Sequence, residues 1–137
     1  MESLHTPETV RQILKSAGLR PTRQRQALGG LLFTGQDRHV TAELLHDEAR
    51  QAGISVSVAT VYNTLHQFTE AGLLNEVVVD GSSAQFDTNT RDHHHFLDPG
   101  GVLIDIPEGS LQVAGLPPPP AGSKVVRVDV LVRLAKA

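Results

Sequence analysis

Four segments in the first half of the chain open on a hydroxyl residue: Thr6, Thr22, Thr41 and Ser57. Three of them close on a glycine, Gly18, Gly53 and Gly72. A Ser or Thr before a helix accepts a hydrogen bond from a backbone N–H that has no partner inside the helix, and glycine stops the helix with a left-handed turn. Between these marks apolar residues recur at helical spacing. Val10, Ile13, Leu14 and Ala17 line the first segment, where Pro7 takes the first helical position and Glu8 follows. Ala27, Leu28, Leu31 and Leu32 line the second, in which Gly29-Gly30 weakens the helix but permits close backbone packing. A polar loop, Thr34 to His39, follows. Leu44, Leu45 and Ala49 are expected to face inward on the third helix, and Val61, Leu65 and Phe68 on the fourth, which runs from Val58 to about Ala71.

From Leu73 the pattern turns to strand. Leu74, Val77, Val78 and Val79 are followed by Asp80-Gly81, a hairpin signal, and Ser83 to Asp87 returns as the second strand. A capped helix pair followed by a hairpin reads as a winged helix. His93 to Leu97, Gly101 to Ile106 and Lys124 to Leu134 also read as strands, the last with Val126, Val128, Val130, Val132 and Leu134 on one face. Leu116 to Pro120 is a stiff polyproline connector. These last strands are short of burial partners, and a second copy of the chain would supply them. The expected architecture is α+β. A winged helix-turn-helix DNA-binding domain covers 1–82, with wing strands at about 73–87. A small α/β domain for dimerisation and for sensing a metal or haem covers 88–137.

On the fourth helix Ala59, Tyr62, Asn63 and His66 lie at i, i+3, i+4 and i+7, opposite the apolar stripe, with Thr60 beside them. Small side chains allow close approach to a DNA groove. Asn pairs with adenine, and Ala, the Thr methyl or a Tyr ring can meet a thymine methyl. Ser57 can donate to a phosphate. The formal net charge is -3, yet Arg11, Lys15, Arg20, Arg23 and Arg25 fall close together, enough for a few phosphate contacts. The expected contacts with double-stranded DNA are Arg20, Arg23, Arg25, Ser57, Ala59, Thr60, Tyr62 and Asn63.

The chemistry of the second half centres on His93-His94-His95. In an extended chain His93 and His95 share a face and His94 points the other way. Such a same-face pair can hold one metal ion or approach a haem iron. The chain has no cysteine, which excludes disulfides, thiolate haem ligation, Fe–S clusters and Cys-ligated zinc. Any metal must be held by His, Asp, Glu, carbonyl oxygen or water. No apolar run approaches the ~20 residues of a membrane span, and Glu2, His5, Glu8, Arg11 and Gln12 interrupt any signal-peptide core. The expectation is a cytoplasmic protein without membrane association. No nucleophile constellation or Gly-rich phosphate loop is present, so an enzyme is not expected; a His/carboxylate metalloenzyme is the distant alternative.

Gly18-Leu19-Arg20-Pro21-Thr22-Arg23-Gln24-Arg25, Val58-Ala59-Thr60-Val61-Tyr62-Asn63-Thr64-Leu65 and Phe68-Thr69-Glu70-Ala71-Gly72-Leu73, followed by the histidine-rich stretch, resemble the ferric uptake regulator (Fur) family. Within it, Asp92-His93-His94-His95-Phe96, the absent cysteines and the proline connector resemble the iron response regulator (Irr) branch. The resemblance implies a homodimeric winged-helix transcription factor on AT-rich inverted repeats, with Tyr62 contacting bases. Asn63 stands where many members have Arg. It also implies a metal bridging the two lobes. The matching positions are His39, Asp87, His93, His95 and Asp105, a set that suits Fe, Mn or Zn. Filling the site would fix the angle between lobes. The Irr branch implies haem as the signal, bound by His93, His94 and His95 and weakening DNA binding. The alternative is a repressor dependent on Fe or Mn. The paired cysteines and the carboxyl-terminal histidines of the wider family are missing; Asp98, Pro99, Gly100, Gly101, Arg127 and Leu134 stand in those regions.

Overall fold

The computed structural model describes residues 6–79, 84–91 and 93–137. The chain forms two compact units, Met1–Thr90 and Arg91–Ala137. The first holds α1 (Pro7–Ser16), α2 (Arg23–Leu32), β1 (His39–Val40), α3 (Ala42–Gln51), α4 (Val58–Glu70), β2 (Asn75–Val77) and β3 (Gln85–Asp87). The second holds β4 (His95–Leu97), β5 (Leu103–Asp105) and β6 (Leu131–Arg133). Among the described residues no helix is long and apolar enough to cross a membrane.

All four hydroxyl caps act as the sequence requires. Thr6, Thr22, Thr41 and Ser57 accept from the N–H groups of Thr9, Arg25, Leu44 and Thr60 at 3.2, 3.2, 3.1 and 3.1 Å. Each such cap stabilises its helix by about 1 kcal/mol. The apolar stripes meet in one core, in which Leu14, Leu28, Leu32, Leu45, Leu65, Phe68 and Phe86 are fully buried. Leu44 departs from expectation, being 44% exposed. The buried face of α3 is Ala42, Leu45 and Ala49, spaced i, i+3, i+7, and Leu44 lies one residue, about 100°, off that line.

The Gly29-Gly30 pair divides by role. A Cβ at Gly29 would come within 2.9 Å of Cγ1 of Val10, a buried side chain of α1, whereas one at Gly30 meets nothing within 4 Å. Gly29 therefore permits the close approach of α1 and α2. Gly30→Ala should raise stability by about 0.5–1 kcal/mol through helix propensity. Gly29→Ala should lower it by about 1–3 kcal/mol through overpacking. Urea denaturation of both variants measures the opposite signs.

The first sheet has the order β1-β3-β2, all antiparallel. His39 pairs with Asp87, and Val40 and Glu76 both pair with Phe86. β1 replaces the end of the expected loop. The capped helices and this sheet make a winged helix-turn-helix. β2 is shorter than the Leu73–Asp80 stretch, and Val78 beyond it is exposed. The Asp80-Gly81 turn, Ser83, Asp92 and His5 lie outside the described residues.

The second sheet has the order β5-β4-β6, with β5 antiparallel and β6 parallel to β4. β6 is confined to Leu131–Arg133, well inside the expected Lys124–Leu134. Its partner β4 is three residues long and can pair no more of it. Val126, 86% exposed, lies outside the ladder despite its place in the alternation.

Candidate metal centre and nucleic-acid interface

In the first unit, the β1–β3 register sets two ligand-type side chains side by side. His39 Nε2 lies 3.0 Å from Asp87 Oδ2. Asp87 is fully buried, and its Oδ1 accepts the Asn89 N–H at 2.8 Å. A buried carboxylate held this way is oriented for a cationic partner. Arg38, beside His39, anchors the strand. Its backbone N–H donates to Thr88 Oγ1 at 2.9 Å, and its guanidinium donates to the Leu31 carbonyl at 2.9 Å and Glu48 at 2.6 Å. Neither Arg38 nor Asn89 was expected from sequence, because both act through partners distant in the chain or on the backbone.

In the second unit, His95 and Asp105 are register partners across β4 and β5. The rings of His93 and His95 lie against one another, tilted by 56°, with centroids 4.4 Å apart. Their Nε2 atoms lie 3.2 and 3.4 Å from one oxygen, Asp105 Oδ1. His93 Nδ1 lies 2.7 Å from the Arg91 carbonyl oxygen, which can only accept. Nδ1 therefore donates there, and on a neutral ring Nε2 turns its lone pair toward the Asp105 carboxylate, an arrangement that a cation among these atoms would suit. Imidazole with carboxylate suits Fe, Mn or Zn, so the residues present fit such an ion. His94 is placed differently. Its Nδ1 accepts the Val130 N–H at 3.0 Å, so on a neutral ring Nε2 carries the hydrogen and no lone pair remains for a metal.

On α4, Ala59, Tyr62 and Asn63 are exposed and Thr60 is half-buried. The Ser57 hydroxyl caps the helix and donates to Thr60 Oγ1 at 2.9 Å, so a phosphate would take that hydrogen in place of Thr60. Arg20, in the turn before α2, and Arg23, its first residue, are exposed. Arg25 is tied down. It donates to Gln67 Oε1 from Nε at 3.3 Å and from Nη2 at 3.1 Å, and to the Arg20 carbonyl from Nη1 at 3.0 Å. It thus braces α2 against the helix that carries Tyr62. His66 is also engaged. Its ring centroid is 4.5 Å from that of Tyr62 and 5.5 Å from that of Phe86. His46 is half-buried, with its Nε2 3.1 Å from the Val56 carbonyl oxygen.

The profile of the ferric uptake regulator family matches residues 16–111. The chain belongs to the ferric uptake regulator family. The Fur-family fold extends to solved relatives. The ferric uptake regulator of Pseudomonas aeruginosa with manganese superposes with a TM-score of 0.70, at 25% identity, over 93% of this chain and 97% of that one. That of Vibrio cholerae gives 0.69 at 22% identity over 90% and 96%, a likeness of fold. Among curated Fur-family relatives, the peroxide-responsive repressor PerR of Staphylococcus epidermidis is 36% identical over 93 residues, 67% of this chain and 61% of the relative. The match thus spans about three fifths of that repressor's length.

Proposed function

We propose that this chain is a divalent-metal-dependent transcriptional repressor, not an enzyme, which binds AT-rich inverted repeats of double-stranded DNA as a homodimer. The carrying observation is the pair of half-sites: a histidine and a buried aspartate in the first unit, and two histidines converging on Asp105 in the second. The proposed ligands are His39, Asp87, His93, His95 and Asp105, all of ligating type. A bound Fe(II), Mn(II) or Zn(II) ion supplies charge and a fixed coordination geometry there. In the homodimer the two copies of α4 must meet successive major grooves about 34–36 Å apart, one turn of DNA. Arg20 and Arg23 meet phosphates, Arg25 braces α4, and Ala59, Thr60, Tyr62 and Asn63 read bases. The apolar side chains exposed in the second unit, among them Val102, Ile104, Val125 and Val126, supply the homodimer's contact.

The haem-responsive reading, and the iron response regulator branch with it, draws support only from the histidine run, the absent cysteines and the proline connector. A haem iron offers axial positions on opposite faces, and two imidazoles 4.4 Å apart cannot fill both. His94 lacks a lone pair to contribute. The 36% identical relative is named as a peroxide-responsive repressor, and this favours peroxide as the releasing signal. Iron(II) reduces peroxide and manganese(II) does so poorly. The test is gel-shift on an AT-rich inverted repeat with metal-free, Mn(II)-, Fe(II)- and haem-treated protein. Mn(II) should tighten binding about 10–100-fold. Peroxide should release the Fe(II) form and spare the Mn(II) form. Equal affinity with and without both metals rejects the metal-dependent reading, and release by haem that survives loss of the Mn(II) response restores the haem reading.

A further inference from the structure

One strand of the first unit carries both a proposed ligand and an aromatic contact to the DNA-reading helix. Asp87 and Phe86 are neighbours on β3, so their side chains leave opposite faces of the strand. Asp87 meets His39 on one face. Phe86, fully buried, meets Tyr62 and His66 on the other, with ring centroids 6.5 and 5.5 Å away and planes nearly perpendicular, 87° and 89°. His66 in turn meets Tyr62 edge to face at 4.5 Å. Tyr62 is 44% exposed, so its inner edge is held by two rings while the rest of it faces solvent. Edge-to-face pairs are directional, and a small displacement of one ring biases the rotamer of the next.

We propose that Phe86 and His66 are positioning residues that transmit occupancy of His39 and Asp87 to the orientation of Tyr62. The proposal rests on the metal-dependent reading and adds to it: ligation sets the side chain that reads the DNA within one winged helix. Drawing Asp87 toward a cation shifts β3, and Phe86 moves with it against Tyr62 and His66. Close-packed interiors pass such displacements on because they leave no void to absorb them. A chain of contacts becomes a coupling route only when its removal uncouples the two ends.

The chain offers a direct reporter, since Tyr62 is its only tyrosine and there is no tryptophan. Intrinsic fluorescence of the full chain therefore reads Tyr62 alone. Zn(II) is the probe, being diamagnetic and colourless, and its binding is followed separately by calorimetry. In the unaltered chain, Zn(II) should change the Tyr62 emission without DNA present. Phe86→Leu and His66→Leu should bind Zn(II) within about threefold of the unaltered chain, yet lose most of the emission change. Their metal-induced gain in operator affinity should fall about 5-fold or more. His66→Phe, which keeps a ring between Phe86 and Tyr62, should restore both. Should Phe86→Leu fail to fold, the half-buried His66 pair carries the test. A full emission change and full metal response in His66→Leu overturn the relay. So does Zn(II) binding with a DNA response but an unmoved Tyr62. A chain that binds no Zn(II) at all overturns the metal-dependent reading instead, and calorimetry tells the two failures apart.

Discussion

His95→Ala is expected to lower Mn(II) affinity at least ~100-fold, since even residues that only orient a ligand contribute 10–100-fold. His95 is buried, and its Nε2 converges with that of His93 on Asp105 Oδ1. Removing it leaves Asp105 facing a single imidazole in the second unit. Metal-stimulated operator binding should disappear with the ion. His94→Ala is the matched control one residue away. Its ring accepts a backbone N–H and offers no lone pair, so Mn(II) affinity should stay within about twofold. Calorimetric titration with Mn(II), paired with gel-shift, checks both. A His94→Ala protein that loses metal while His95→Ala retains it would reverse the proposed ligand assignment.

The second large effect is on folding. Phe68 is fully buried on α4, with its ring centroid 5.6 Å from that of Phe33. Phe68→Ala should cost about 3–5 kcal/mol, combining lost transfer energy with the cavity left among Leu28, Leu32 and Leu65. Domains of this size hold only about 5–15 kcal/mol in total. The midpoint of thermal unfolding should fall by at least ~12 °C. Circular dichroism of the helices measures it. Mn(II) should recover part of the loss, because an ion that binds only the folded chain stabilises it by mass action. A shift of a few degrees would mean that the α4 stripe is not the centre of the core.

The helices were legible because their signals are local. A cap hydroxyl, its N–H partner and the apolar period all lie within a few residues of one another, and α1, α2 and α4 follow them, as does α3 apart from Leu44. The sheets were less so. β1 is two residues long and exists only through β3, almost fifty residues away in sequence, so no periodicity marks it. Lys124 to Leu134 alternates as a strand should, yet pairing stops where β4 stops. Alternation states which face a residue takes, not whether a neighbour is present. Leu44 shows the same limit on a helix, where two adjacent leucines left the buried line to be chosen by packing. At the site, the expected nearness of His93 and His95 is seen, with tilted rings 4.4 Å apart, although β4 begins only at His95 and not at His93. The commitment of His94 to Val130 did not follow, because that partner comes from a distant segment. Nor could the contact of His66 with Phe86 be read, since it joins a helix face to a strand.

The central claim is that His39, Asp87, His93, His95 and Asp105 serve one cation. The measurement that tests it most directly is Mn(II) stoichiometry and affinity by calorimetry for the unaltered chain, His39→Ala and His95→Ala. The expected result is tight binding lost alike in both variants. Tight binding that survives His39→Ala while His95→Ala abolishes it would leave His39 outside the ligand set and contradict the claim.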